Sequence, residues 1–494
     1  MRLSPVLALL AGATGLAVAQ DSFVVGPRAL GMGGTGVAAV DDLPAQYYNP
    51  AAFGFFAFQP PVEEQTDKGP FSVDNNALWR KDWGAEADFT FGARIHKDFA
   101  EHINTLKKLW DDGAIDNLST NGLATEADAL AMVDAFNALS NLSDPDNAIT
   151  VDATGGFSVR IKQFGLGVRT FSQVSGRLQT LDLVNLGIGG FGTDVIDTEL
   201  GGVTVVGPGG TLSAAQLAAL QTSGGFSNGS AIKLDQLATQ AGISQAEADL
   251  LVQALVQANT NAGGTLDQNL SALRMYGVNL IEIPLSFGYA FNENLAIGGN
   301  IKAMIGRVYG TDVIIFGDDV EGAIRSADEN YEETLTWGVD LAIMARLKML
   351  NLGLTARNLN TPTFDGPTVG ATKFADYEIE PTVTAGAAFI PFETVTLAID
   401  LDLIESETVL SNYKSQYVRL GAEWDIARFV AVRAGYSENL AEGDIGGLIH
   451  AGVGLNLYFL RIDLAGSMAL ETTEYDGDEV PREARVGFQL AADF

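Results

Sequence analysis

Three sets of residues in this 494-residue chain have types and spacing that could do chemistry. The first is Gly31-Met32-Gly33-Gly34-Thr35-Gly36, which satisfies G-x-G-x-x-G. A dinucleotide site also needs a strand before the motif, a helix after it and an acidic residue about 20 positions on. Here the motif follows an apolar leader almost at once, so the glycines read as places where an N-terminal segment packs backbone-close against something else. The second set is three histidines, His96, His102 and His450. His96 and His102 stand six apart beside an expected helix, which does not put both on one face. His450 falls on the polar face of an expected strand near its outer end, whereas a barrel lipase would hold Ser and His together on the lipid-facing wall. The third set is acidic: Asp318-Asp319-Val320-Glu321 and Glu474-Tyr475-Asp476-Gly477-Asp478-Glu479. Calcium takes about six to eight oxygens, but neither run has the spacing of a calcium loop. Both read as solvated surface, able to bridge divalent ions to anionic headgroups. With no Cys there is no thiolate ligand or nucleophile. No catalytic residue, metal site or cofactor is assigned, and the chain is not read as an enzyme. Asp and Glu number 62 against 29 Lys and Arg, a net charge of −33, which argues against a nucleic-acid partner.

The elements that must position any site follow a period of two. In Val395-Leu397-Ile399-Leu401-Leu403 one face is aliphatic, and the other carries Thr396, Ala398, Asp400 and Asp402. Val418-Leu420-Ala422-Trp424-Ile426 alternates with Arg419, Gly421, Glu423 and Asp425, and Trp337-Val339-Leu341-Ile343 with Gly338, Asp340 and Ala342. Side chains of a strand point alternately to its two faces. A membrane barrel turns the apolar face to lipid and the polar face to its lumen. That explains a 47% hydrophobic chain with no internal apolar run of the ~20 residues a membrane helix needs. Fourteen strands are expected, at about 84–95, 151–162, 165–175, 276–291, 294–308, 330–347, 349–359, 380–390, 394–404, 415–426, 429–438, 446–458, 460–471 and 482–494. Short and long connections alternate between them, as periplasmic turns and external loops do. The expected fold class is thus an all-β transmembrane barrel of about 14 antiparallel strands spanning 84–494.

Both ends fit export. Met1-Arg2, the apolar Pro5–Val18 and the small-x-small Ala17-Val18-Ala19 predict a cleavable signal peptide over 1–19. Val486, Phe488, Leu490, Ala492 and Phe494 alternate to the last residue. Phe488, Leu490 and Phe494 are therefore read as the signal for the barrel assembly machinery. The expected address is the outer membrane of a Gram-negative-type envelope, with outer-membrane lipid as a partner. Two long loops change period. Helical insertions are expected within about 98–150 (Phe99, Ile103, Leu106 and Trp110 on one face; Thr125 capping 126–139) and about 176–275 (Ser213 with Gln216, Ser244 with Glu247). They are read first as a packed cap over the barrel mouth, with an apolar collecting groove as the rival.

Residues 25–56 carry a resemblance. Val25-Gly26-Pro27-Arg28-Ala29-Leu30, the glycine run, Asp41-Asp42 and Tyr47-Tyr48-Asn49-Pro50-Ala51 are similar to the mature start of FadL-like outer-membrane proteins. The wording at Arg28, Gly31, Gly33 and Gly34 is closest to the conjugal-transfer TraF-type and PorV-like branches, and Asn49, Pro50 and Ala51 match the family's Asn-Pro-Ala. The resemblance implies an N-terminal hatch, here 20–83, plugging a 14-stranded barrel. On the polar parity the lumen should carry Asp88, Arg94, Arg160, Lys162, Arg169, Asn300, Lys302, Asp340, Arg346, Arg357, Asp400, Asp402, Arg419, Glu423, Arg433, Arg461, Asp463 and Arg485. In a narrow barrel these charges should pair across strands and hold the hatch. Two functions follow as expectations. One is passage of hydrophobic small molecules through a hatch-plugged barrel. The other is an accessory or shuttle barrel whose partners are envelope or exported proteins in conjugation or secretion.

Overall fold

The computed structural model describes residues 23–57, 83–121, 125–182, 185, 210–260, 269–315, 330–370, 372–410, 413–457 and 459–493. The signal peptide expected at 1–19, the acidic run at 318–321 and Phe494 lie outside them. Fourteen antiparallel strands close a barrel in plain chain order. They are β1 Trp83–His96, β2 Ala148–Ile161, β3 Phe164–Thr180, β4 Ala272–Ala290, β5 Leu295–Ile314, β6 Tyr331–Arg346 and β7 Leu350–Arg357, then β8 Thr382–Phe392, β9 Val395–Asp402, β10 Tyr417–Ile426, β11 Val430–Asn439, β12 Leu448–Leu457, β13 Leu460–Ala469 and β14 Glu483–Asp493. Strand β14 pairs back onto β1, with Phe488 opposite Phe89.

The alternation sets the wall. On β6, Leu335, Trp337, Leu341 and Ile343 are exposed on the outside while Gly338, Asp340 and Ala342 are buried inside. Strand β14 repeats this, with Val486, Phe488 and Leu490 outward and Arg485, Gln489 and Ala491 inward. Exposed aromatics crowd the short-turn end: Trp83, Phe164, Tyr289, Phe291, Phe392, Trp424, Phe429 and Phe459. Such a girdle is the usual companion of a headgroup layer. Lys162 departs from its expected lumenal place. It is exposed in the β2–β3 turn, with a φ of 52°.

The barrel is taller on one side. Strands β3, β4 and β5 run 17, 19 and 20 residues, against 8 for β7 and β9. The insertions are correspondingly shorter than expected at their bases, 97–147 and 181–271. They carry α4 Phe99–Asp111, α5 Ala114–Asn121 and α6 Glu126–Leu142, then α7 Ala214–Thr222, α8 Asn228–Gln240 and α9 Gln245–Thr260, while α1 Pro27–Gly31, α2 Ala45–Tyr48 and α3 Ala52–Ala57 lie in the N-terminal segment. Thr125 with Asp128 and Ser213 with Gln216 form reciprocal capping boxes, and Ser244 with Glu247 does the same. The two insertions share one core: Leu118, Met132 and Phe136 from the first pack with Leu220, Leu234, Leu251 and Leu255 from the second. The packed-cap reading therefore describes them. The acidic run at 474–479 is not free surface. It tips a hairpin that leans on α4, where Lys108 reaches Glu474 at 3.2 Å and Lys107 reaches Asp476 at 2.9 Å.

Candidate functional site

The N-terminal segment, residues 23–57 as described, lies inside the barrel. It fits because both surfaces lack side chains where they meet. Gly33 has a φ of 71°, and a Cβ there would strike the backbone carbonyls of Leu420 and Tyr436. Across the gap a Cβ on Gly435 would strike the backbone of Met32 and Gly33. The same interlock repeats where lumenal Gly298 faces Pro50 and Ala51, and where Gly31 faces Gly452. Gly31 and Gly33 of the motif thus stand where the two backbones meet.

Polar groups of the wall then hold the segment's backbone. Asp400 Oδ2 accepts the N–H groups of Gly36 at 2.7 Å and Val37 at 2.9 Å. Asn49 Nδ2 donates to Val37 O at 2.8 Å and to Ile343 O of β6 at 3.2 Å, while its Oδ1 accepts from Ala51 N at 3.1 Å. Thr355 Oγ1 donates to Tyr48 O at 2.7 Å, and Asn300 Nδ2 donates to Gln46 O and Asp340 Oδ2, both at 2.8 Å. A buried backbone needs such partners, because an orphaned group costs about 1–3 kcal/mol.

The charges form a closed ring at the short-turn end. Arg28 meets Glu423 through two bonds, 2.7 and 3.0 Å. Arg433 Nε meets Glu423 at 2.6 Å and its Nη1 meets Asp463 at 2.6 Å. Arg461 joins Asp463 at 2.9 Å to Asp42 at 2.8 Å, and Asp42 returns to Arg28 at 3.3 Å. Asp41 adds a further, more exposed contact to Arg28. Two members of the ring come from the plug and four from β10, β11 and β13. Burial alone would raise the Asp42 carboxyl, but Arg28 and Arg461 outweigh it and hold it below the usual carboxylate range. A cavity of about 160 Å³ opens beside the ring, lined also by Phe56, Arg160 and Phe459.

Three lumenal arginines grip the plug by another route. Arg160 lies over Phe56 at 4.1 Å, Arg346 over Phe55 at 4.4 Å and Arg357 over Tyr47 at 4.1 Å. Cation–π stacking lets a guanidinium hold an aromatic face in a narrow space. Other expected charges pair within the wall: Arg169 with Asp88 at 2.8 and 2.7 Å, Arg419 with Asp402 at 2.9 and 2.8 Å, and Lys302 with Glu282 and Asp340, both at 3.2 Å. Sequence reasoning did not single out Gln46, Tyr47, Tyr48, Phe55, Phe56, Asn351 or Thr355 as contacts. The usable signal was aromatic density within 47–56 on a segment too short to form its own core. The histidines sit in separate places. His96 Nδ1 is 3.2 Å from Asp444 Oδ2, and His450 Nε2 is 2.8 Å from Ser437 Oγ deep in the lumen. Among the described residues no three acidic or histidine side chains are grouped to hold a metal ion.

Solved structures similar to this chain are barrels of low identity. The Ralstonia pickettii toluene transporter TbuX is 12% identical over 95% of this chain and 98% of its own, with a TM-score of 0.45. The P. putida toluene transporter TodX is 12% identical over 96% and 99%, at 0.46. A Pseudomonas aeruginosa FadL homologue is 10% identical over 97% and 100%, at 0.44. No curated protein matches. A family described as "F plasmid transfer operon, TraF, protein" matches residues 88–402, from the first barrel strand through the ninth. That is more than half of the sequence, and it agrees with the TraF-type wording of the N-terminal motif: the chain belongs to the TraF family.

Proposed function

We propose that this chain is an outer-membrane barrel that passes hydrophobic small molecules, with the N-terminal segment as its hatch. One observation carries the reading: the lumen has an apolar wall. Porin lumens are polar. Here Phe171, Val278, Leu280, Met304 and Val308 are buried in one core with Phe23, Tyr48 and Phe53 of the plug, and that core continues to Phe99, Leu106 and Leu139 of the cap. The charges that β3–β5 turn into the lumen, Arg169, Glu282 and Lys302, are paired with Asp88 or with one another, so an apolar solute on this wall would meet them as ion pairs. The ion-pair ring on the opposite side gives the hatch a hold that does not depend on that wall. The exposed outer belt and the aromatic girdle suit lipid, and the 1–19 leader with Phe488, Leu490 and Phe494 suits export and barrel assembly. Loss of the gene should slow uptake of labelled fatty acids or aromatic hydrocarbons. Complementation with wild type should restore uptake, and the Met304→Glu variant should not. Uptake unchanged across the panel would overturn the proposal.

A second reading rests on the helical cap, which has its own core, and on the family's description as a transfer-operon protein. In it the barrel is an accessory in conjugation or surface-protein export. Cross-linking from the cap in whole cells should then capture an envelope or exported protein, and capture of none would remove this reading.

A further inference from the structure

The cavity beside the ion-pair ring lies between plug and wall at the short-turn end, the end that faces the periplasm in outer-membrane barrels. Its volume is about 160 Å³, whereas one water needs only ~10–15 Å³ of such space, so it has room for a small organic molecule. The plug gives it Asp41 and Phe56; the wall gives it Asp425 of β10, Asn456 of β12, and Phe459 and Leu460 where β13 begins. Arg28, Arg160, Arg433 and Arg461 also border it, but each is engaged. Arg28 is held by Glu423, Asp41 and Asp42, Arg433 by Glu423 and Asp463, and Arg461 by Asp463 and Asp42, while Arg160 lies over the ring of Phe56. Asp425 differs from the other carboxylates. It is half-buried at the cavity wall, and among the described residues no hydrogen bond or ion pair reaches its side chain.

The four arginines thus face five carboxylates, Asp41, Asp42, Glu423, Asp425 and Asp463, and the group is one positive charge short. Charges withdrawn from water need partners. An incoming anion would have to displace a carboxylate from an arginine, whereas an incoming cation displaces nothing. We propose that this cavity binds a small organic monocation, a primary ammonium group on a short apolar body, and that its occupation locks the plug to the wall. A primary ammonium brings three donors, and Asp425, Asp41 and the side-chain carbonyl of Asn456 are acceptors on the lining. Phe459 and Leu460 give the apolar body a surface, and the stacking of Arg160 on Phe56 at 4.1 Å shows a cation already accommodated on an aromatic face there. A ligand that touches Asp41 and Phe56 of the plug together with Asp425 and Phe459 of the wall binds the seated plug better than a displaced one, and so favours seating. The site stands apart from the apolar wall, and uptake of hydrophobic molecules has no bearing on it.

The test is isothermal titration of the purified, heat-modifiable full chain in a non-ionic detergent at low salt, with butylammonium, butanol and butyrate as probes. Butylammonium should bind once per barrel, and the other two should bind more weakly. Asp425→Asn strands no partner, since none reaches that side chain, and it should weaken butylammonium roughly 10–100-fold, the worth of a charge-assisted hydrogen bond. Glu293→Gln, an exposed change in the β4–β5 turn away from the cavity, should leave binding unaltered. The second readout is thiol labelling of Thr35→Cys, buried in the seated plug. Saturating butylammonium should slow labelling, and should cease to do so at the same concentration when Asp425→Asn is added. No binding of butylammonium to the folded wild type, butyrate binding as tightly as butylammonium, equal affinity in Asp425→Asn, or labelling unchanged at saturation would each overturn the proposal.

Discussion

Arg28 is the plug's main charged hold on the wall, and its removal gives a calculable result. Removing one partner from a buried pair typically costs about 3–5 kcal/mol. Here Glu423 would keep Arg433 at 2.6 Å and Asp42 would keep Arg461 at 2.8 Å, so no carboxylate of the ring is stranded. The cost belongs at the low end, about 3 kcal/mol. If that loss falls on the seated state alone, the population with the plug displaced rises roughly a hundredfold. A thiol placed at Thr35, which is buried in the seated plug, reports that population, since the chain has no other. Thiol labelling of Thr35→Cys in detergent should therefore speed up by about two orders of magnitude when Arg28→Met is added. Arg28→Lys should fall between, because an ammonium keeps the charge but not the two-pronged contact with Glu423. Equal labelling rates with and without Arg28 would refute the idea that the ring seats the plug.

Gly33→Ala should displace the plug more severely. Its Cβ has nowhere to go between two carbonyls and the φ of 71° disfavours it, so the unfolding midpoint of the heat-modifiable form should drop. Leu234→Ala, in the shared core of the cap, should cost about 2–5 kcal/mol of cap stability and leave the barrel's gel shift intact, as read by helical circular dichroism on heating. Ile301→Arg, on the outer face of β5, should destabilise insertion by about 2–4 kcal/mol if that face meets lipid, as read by folding into vesicles. In the loop after β11, burial alone would raise the Asp444 carboxyl, but the hydrogen bond and charge of His96 hold it below its ordinary value. A carboxyl depressed in the fold stabilises above its unfolded pKa of about 3.9, and that contribution is lost as pH falls through the folded value. Protection factors of the 440–447 amides should therefore be high at neutral pH and fall below about pH 4, while Asp444→Asn should be poorly protected throughout.

Much of the barrel was legible because lipid on one side and lumen on the other enforce a period of two. The period failed where that contrast ends. From Phe171 to Gly176 every residue is buried, since the tall part of β3 is covered on both faces, and the alternation gives no sign that the strand runs on to Thr180. Helix α8 was missed although Ser227 caps it, because Gly229 in its first turn and Lys233 and Asp235 mid-way blur the stripe made by Ala231, Leu234 and Ala238. The lumenal charges could be placed by parity, but their partners could not: Arg28 and Glu423 are 395 residues apart, and only closure of the barrel brings them together. The stacking of Arg160, Arg346 and Arg357 on plug aromatics was hidden for the same reason.

The most direct measurement is an unboiled gel of the outer-membrane fraction. A closed 14-stranded barrel should be found in that fraction and migrate faster unboiled than boiled. A chain found elsewhere in the cell, or one whose migration does not change on boiling, would contradict the membrane barrel and the transport reading built on it.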